Sequence, residues 1–243
     1  EIQPVAWDDK SALNSFISSE CSVLSSVPPK GLVDHGLNKF EELIQQDTSK
    51  INWIGYLSST GVYGERNGGW VTEQSKLDTL TEQGQARITA EKNWLKLAGK
   101  HKTPLFIFRI AGIYGPDRNI FHRIKTGNVQ KVIKTNQYFN RVHVEDIAGV
   151  VGISVTKPLL AGVYNVSDDL PSSAADLIDE ASRILEIPFF PEIDFKDAKL
   201  SAMGKSFYSE SKRVSNKKLV EELGYSFKYP TYFTGLRSLI NRG

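Results

Sequence analysis

The chain has 243 residues, 40% of them hydrophobic and 24% charged, with a formal net charge of +2. That length can bury a substantial core as one α/β domain or one domain with a smaller lobe, and near-balanced charge without a block of five Lys or Arg argues against a nucleic-acid or membrane partner. The single cysteine, Cys21, excludes an intramolecular disulfide and suits a reducing compartment, either cytoplasm or an organelle matrix or stroma, and with only four His no structural metal site is expected.

In chain order, Ile2 to Ala6 reads as a strand ending in Asp8 and Asp9, followed by a helical segment around Leu13 to Ile17. Cys21 to Val27 reads as a buried-type strand, closed by Pro28 and Pro29, which cannot continue a ladder. Leu37, Phe40 and Ile44 share one face of an amphipathic helix. Next comes the stretch that organises the chain. A hydrophobic run from Ile51 to Leu57 ends in Ser58, Ser59 and Thr60, followed by Gly61-Val62-Tyr63-Gly64. In a parallel sheet ligands sit at the carboxyl ends of strands, so these hydroxyls mark the expected active-site edge.

A polar loop from Glu65 to Gln74 leads to a long helical pattern from about Glu82 to Lys100, with Ile88, Leu95 and Ala98 at core spacing and Gln83, Arg87 and Glu91 in a stripe four residues apart. Pro104 to Ile113 reads as a strand that ends in Ala111-Gly112-Ile113. A short helix from Ile120 stops at Gly127, and Lys131 to Lys134 reads as a strand. Tyr138 to Ala148 enters a helix led by acids, and His143 in it is either a titratable catalytic group or a bonded structural one. Gly162 to Val166 is a strand, Ser173 caps a helix that carries Ala174, Leu177, Ile178, Ala181 and Ile184, and Ser215 caps one that Gly224 ends.

Four segments, taken together, carry a resemblance: Ser58-Ser59-Thr60-Gly61-Val62-Tyr63-Gly64, Phe108-Arg109-Ile110-Ala111-Gly112-Ile113-Tyr114-Gly115-Pro116, Arg141-Val142-His143-Val144-Glu145-Asp146-Ile147-Ala148, and Tyr164-Asn165-Val166. In order and spacing they resemble the extended branch of the short-chain dehydrogenase/reductase superfamily, the nucleotide-sugar epimerases and dehydratases. The resemblance implies an α/β fold with a Rossmann-like doubly wound parallel sheet: a dinucleotide-binding domain over 1–116, rejoined by about 139–157, and a C-terminal substrate lobe over 117–138 and 158–243. It also implies NAD or NADP as cofactor and a small-molecule substrate, with a homodimer compatible.

Such a fold opens with a strand and Gly-x-Gly-x-x-Gly, whose glycines bring the pyrophosphate to a helix N-terminus. The pattern is absent from these 243 residues, and the only methionine is Met203. Two expectations follow: about fifty residues, the size of a strand-helix-strand unit, precede Glu1, or the protein lacks a standard phosphate cradle; a removed organellar transit peptide is compatible with the first.

By resemblance, Asp8 matches the position that hydrogen-bonds adenine, with a plain helix cap as the other reading. Ser58, Gly112 and Ile113 fall at cofactor-lining positions, and so do Val27 and Pro28, which depart from the Ala-rich strand end usual there. Ser59 matches the catalytic hydroxyl, with Thr60 beside it. Where working members carry Tyr-x-x-x-Lys, this chain has Gln83 and Arg87. Gln exchanges no proton near neutrality, and the Arg87 guanidinium donates to ribose or phosphate oxygens but is too basic to serve as a base. Tyr63 is then the nearest phenol. That departure resembles an atypical group described as epimerase-like, which shares Glu82, Gly84, Arg87 and Glu91 and the run Ser209 to Asn216. In that run Lys212 and Arg213 are expected either to grip an anionic substrate group or to form a solvated turn. Two functions follow: an NAD(P)-dependent oxidoreductase or epimerase, or a dinucleotide sensor that kept the fold and lost the chemistry.

Overall fold

The computed structural model describes residues 2–17, 19–44 and 50–240. Its helices are α1 (Lys10–Ile17), α2 (His35–Leu43), α3 (Glu82–His101), α4 (Ile120–Lys125), α5 (Val144–Val155), α6 (Ala174–Ile184), α7 (Ala202–Phe207) and α8 (Tyr232–Ile240). Its strands are β1 (Cys21–Ser25), β2 (Ile51–Ser59), β3 (Trp70–Val71), β4 (Leu105–Ile110), β5 (Gly112–Tyr114), β6 (Lys131–Ile133), β7 (Arg141–His143), β8 (Gly162–Val166), β9 (Glu192–Asp194) and β10 (Arg213–Val214).

Strands β1, β2, β4 and β8 form a parallel sheet in that order, with Ser59 beside Ile110 and Ile110 beside Val166. Alternation along each strand sends side chains to two separate cores. Ile54 and Tyr56 of β2 and Leu105 and Ile107 of β4 meet α2 and α3 on one face. Trp53, Phe106, Phe108 and Tyr164 meet α5 and the turn at Leu219–Leu223 on the other. Helices on both faces of a parallel sheet make this a Rossmann-like doubly wound α/β fold. A Cβ at Gly55 would fall 2.1 Å from the Trp53 ring, so only glycine lets that indole lie along its own strand.

Three short parallel pairs extend the framework: β5 with β7, β6 with β9, and β3 with β10. A further core of Ile120, Ile178, Ala181, Tyr232 and Leu236 joins α4, α6 and α8.

Several expectations change. Ile2 to Ala6 is not a strand: Ile2 is 94% exposed, and no strand of the described residues lies alongside to complete a ladder. β1 stops at Ser25 and is the half-exposed edge of the described sheet rather than a buried strand, with Leu24 exposed. The strand expected over Pro104 to Ile113 divides at Ala111: its N–H still donates to Val166 in the large sheet, but that of Gly112 donates to Asn140 beside β7. The loop after Gly64 contains β3, whose Trp70 and Val71 pair with Arg213 and Val214 of β10, a non-local contact that no local pattern announces. On α3, Trp94 takes the core position and Leu95 faces solvent.

Candidate active site

The carboxyl edge of the sheet is built by adjacent strand ends, Ser59 on β2 and Ile110 on β4, which are register partners. Ser59 caps a short turn over Thr60–Tyr63, its oxygen accepting from the Gly61 N–H at 3.1 Å, a bond that does not use the hydroxyl proton. Gly64 follows at φ +70°, where a Cβ would sit 2.2 Å from the Asp78 carbonyl, so the chain can turn there only through glycine. Thr60 is buried at the start of this turn.

Beneath that edge lies a buried polar network. Ser58 Oγ donates to Glu91 at 2.6 Å. Glu91 also takes the Arg109 guanidinium, Nη2 to Oε2 at 2.7 Å and Nε to Oε1 at 3.1 Å. Arg109 Nη1 donates to the Tyr63 hydroxyl at 3.0 Å, and that hydroxyl donates to Asn165 at 2.6 Å. Burial pushes the Tyr63 phenol up to about 12, with Arg109 pulling the other way. Ser58 and Tyr63 therefore hold α3, β4 and β8 together. Their hydroxyls reach a ligand only by breaking these bonds.

Arg87 is half-buried, and Nη1 donates to the Leu57 carbonyl at 2.5 Å and to the Tyr56 hydroxyl at 3.2 Å. Its other nitrogens have no hydrogen-bond partner among the described residues, so donors remain available next to the end of β2. Gln83, four residues earlier, is exposed. His143 is fully buried as the N-cap of α5, its Nδ1 accepting from the Glu145 N–H at 3.2 Å, with its ring edge-on to Tyr114; the structural reading of this histidine is the one observed.

The structure divides the remaining site positions. Gly112 and Ile113 are exposed at the switch from β4 to β5 and line a crevice of ≈ 700 Å³. Ser59, Thr60, Tyr63 and Arg87 are not among the residues that line it; Arg87 instead meets the end of β2 at the Leu57 carbonyl. Asp8 lies exposed in a turn, and it is Asp9 that caps α1, by accepting from Ala12 N–H. Val27 is half-buried and Pro28 exposed beyond β1. Lys212 and Arg213 are held elsewhere. Lys212 Nζ is buried between the Gly64 carbonyl at 3.0 Å and Glu210 at 2.7 Å, and the Arg213 guanidinium stacks between Trp70 and Tyr138 while Nε donates to Gly68.

The crevice takes its charge from residues to which the sequence reading gave no role: Arg118 from the turn after β5, Arg123 from α4, Arg141 from β7, which entered only as part of a resembling segment, and Lys199 from the loop before α7. Among the described residues no carboxylate is on its wall. Ile113, Val129, Leu177, Phe207 and Leu236 supply an apolar side. The only local signal was basic residues near glycine and asparagine turns, which is indistinguishable from an ordinary solvated surface.

The residues present fit part of a dinucleotide. Exposed Gly112, the free donors of Arg87 and the hydroxyl of Ser59 suit a nicotinamide ribose. The chain's 243 residues contain no Gly-x-Gly-x-x-Gly cradle for the pyrophosphate.

Comparison with known proteins agrees with this architecture. No family model matches the sequence. A functionally unknown conserved protein from Silicibacter pomeroyi is 40% identical, with a TM-score of 0.84, the match covering 91% of this chain and 77% of that one. Protein YeeZ of Escherichia coli is 26% identical over 197 residues, 80% of this chain but only 65% of its own length. A human epimerase family protein solved with NADPH has a TM-score of 0.77 at 13% identity, covering 100% of this chain and 89% of that one. Other proteins of the same fold are NAD-dependent epimerases and dehydratases. With 40% identity across most of both chains, this chain belongs to the family of the Silicibacter protein, and it shares the Rossmann-like fold of the epimerase and dehydratase structures.

Proposed function

We propose that the protein is an NAD(P)-dependent, epimerase/dehydratase-like oxidoreductase acting on an anionic, sugar-nucleotide-like metabolite. The observation that carries this reading is the ≈ 700 Å³ crevice, which opens at Gly112 and Ile113 and has, among the described residues, four cations and no carboxylate on its wall. Its size is that of a small-molecule site, and Arg and Lys around an apolar wall suit a ligand that joins phosphate to a sugar or base. Solved relatives of this fold bind NADPH, or UDP-glucose with NAD.

The nicotinamide cofactor supplies hydride acceptance and donation when bound. Arg87 would hold its ribose through the donors left free of Leu57 and Tyr56. Ser59 would donate its hydroxyl proton to the substrate oxygen that gains or loses charge. Buried Tyr63 keeps its proton far above neutral pH, and Gln83 has none to exchange, so no phenolic acid/base acts at the positions working members use.

That last point favours a second reading, a catalytically silent dinucleotide sensor. Nicotinamide fluorescence on mixing with NADH and NADPH, followed by a hydride-transfer screen over nucleotide sugars, separates the two. The enzyme reading expects turnover that Ser59→Ala abolishes; dinucleotide binding without turnover on any substrate supports the sensor. Turnover unaffected by Ser59→Ala removes Ser59 from the chemistry.

A further inference from the structure

Four cationic residues of the described chain are buried, and three of them are matched. Arg109 pairs with Glu91, Lys131 with Asp179 and Glu192, and Lys212 with Glu210. The fourth, Arg141, is 9% exposed on the crevice wall and makes no ion pair among the described residues. Only neutral oxygens satisfy its guanidinium: Nη1 donates to Ser172 Oγ at 2.7 Å and the Phe139 carbonyl at 3.3 Å, and Nη2 to the Ser173 carbonyl at 3.2 Å. The Tyr232 ring lies 5.7 Å away. Burial pulls its pKa down, yet a guanidinium stays charged at any ordinary pH, so a cation without a counter-ion faces the cavity.

Behind it sits an acid whose own bonding is incomplete. Asp168 is 1% exposed, and its backbone N–H donates to the Arg141 carbonyl at 2.7 Å. Oδ1 accepts from the Leu170 N–H at 3.3 Å, and Oδ2 has no hydrogen-bond partner among the described residues, nor does the buried Tyr114 hydroxyl of β5.

We propose that Arg141 anchors an anionic group of the ligand and that Asp168 is an internal counter-ion competing with that group, so that anion binding is coupled to proton uptake at Asp168. The inference rests on reading the crevice as the ligand site. Burial pushes the Asp168 carboxyl up to about 8, with Arg141 pulling the other way. Buried Asp146 of α5 and Tyr114 of β5 adjoin Asp168, while Asp169 beside it is exposed and accepts from Asn216; Tyr208 after α7, Tyr232 of α8 and the exposed Asp176 of α6 are near Arg141, and His143 and Tyr229 pack together nearby. Below about pH 8 Asp168 is neutral and Arg141 is open to a ligand anion. Above it, the aspartate charge supplies the counter-ion from within.

The probe is a naphthalene disulfonate, whose charge does not change across this range and whose flat ring suits the apolar side of the crevice. Calorimetric titration of the full chain is expected to show affinity about tenfold weaker near pH 9.5 than near pH 6.5, the size of a coupling of about one pKa unit. Heats in buffers of different ionisation enthalpy are expected to show proton uptake near pH 8. Asp168→Asn should hold the low-pH affinity throughout and take up no proton there. Arg123→Gln, at an exposed wall position, should weaken binding at both pH values and keep the slope. Arg141→Gln should bind weakly without a slope; if thermal unfolding shows that it does not fold, Asp168→Asn decides. A wild-type affinity that does not change with pH, an Asp168→Asn variant with the same drop, or no binding of the probe overturns the inference. Nicotinamide fluorescence is read separately: failure of NADH and NADPH to bind removes the dinucleotide reading and leaves the anion result standing, and a flat pH profile does the reverse.

Discussion

Glu91 and Arg109 face each other inside the fold, Oε2 to Nη2 at 2.7 Å, with side chains only 3% and 6% exposed. They join α3, which follows the strand-end motif, to β4, which leads into Gly112 at the crevice. Ser58 and Tyr63 complete the network from the motif itself. The strand-end motif is therefore anchored by charge rather than by packing alone.

Removing one partner of such a pair leaves a buried charge uncompensated. Glu91→Ala is expected to destabilise the protein by about 3–5 kcal/mol. Urea unfolding followed by circular dichroism measures it; a loss below about 1 kcal/mol would show that water replaces the carboxylate at no cost.

Asp168 predicts a pH dependence of stability. Its folded pKa, about 8, lies above the ordinary carboxylate value of about 3.9, so the folded state holds a proton that the unfolded chain has released. The contribution is fully present below about pH 4 and is lost as pH rises to about 8. Asp168→Asn should therefore gain stability over wild type on the order of 1–3 kcal/mol near pH 8.5, with the two converging towards pH 4. Denaturant midpoints across that range would show it, and parallel profiles would refute it.

Arg87→Ala should weaken NADPH binding about tenfold or more, whereas Arg87→Lys should recover only part, since a single ammonium cannot both hold the Leu57 carbonyl and present a fork to a ribose. Fluorescence titration on a chain that carries a phosphate-binding loop measures this. Equal binding by all three would place the ribose elsewhere.

Lys212→Met should act on stability and leave crevice affinity unchanged. Its ammonium is buried against Gly64 and Glu210, away from the crevice wall. The expected loss is about 3 kcal/mol, with disulfonate affinity within about twofold of wild type. A tenfold loss of affinity in a folded variant would return Lys212 to the ligand site.

Regular elements with a strong period were legible in the amino-acid order. Gly162 to Val166, the helix from Ser173, and α3 from Glu82 all stand where their hydrophobic spacing and caps put them, because helix and strand periodicity are local properties. The hydroxyls at the end of β2 were legible too, since a buried strand must stop where its polar residues begin.

Tertiary structure decided which polar groups are free. Ser58 and Ser59 are neighbours of the same type, yet one donates to a buried carboxylate and the other caps the turn over Thr60–Tyr63. Lys212 and Arg141 each read as one basic residue in a polar segment. Burial gave the first a carboxylate partner and left the second facing a cavity without one. That outcome depends on what the chain brings from far away, Glu91 to Ser58 across 33 residues and Tyr63 to Asn165 across 102, and no local pattern encodes it.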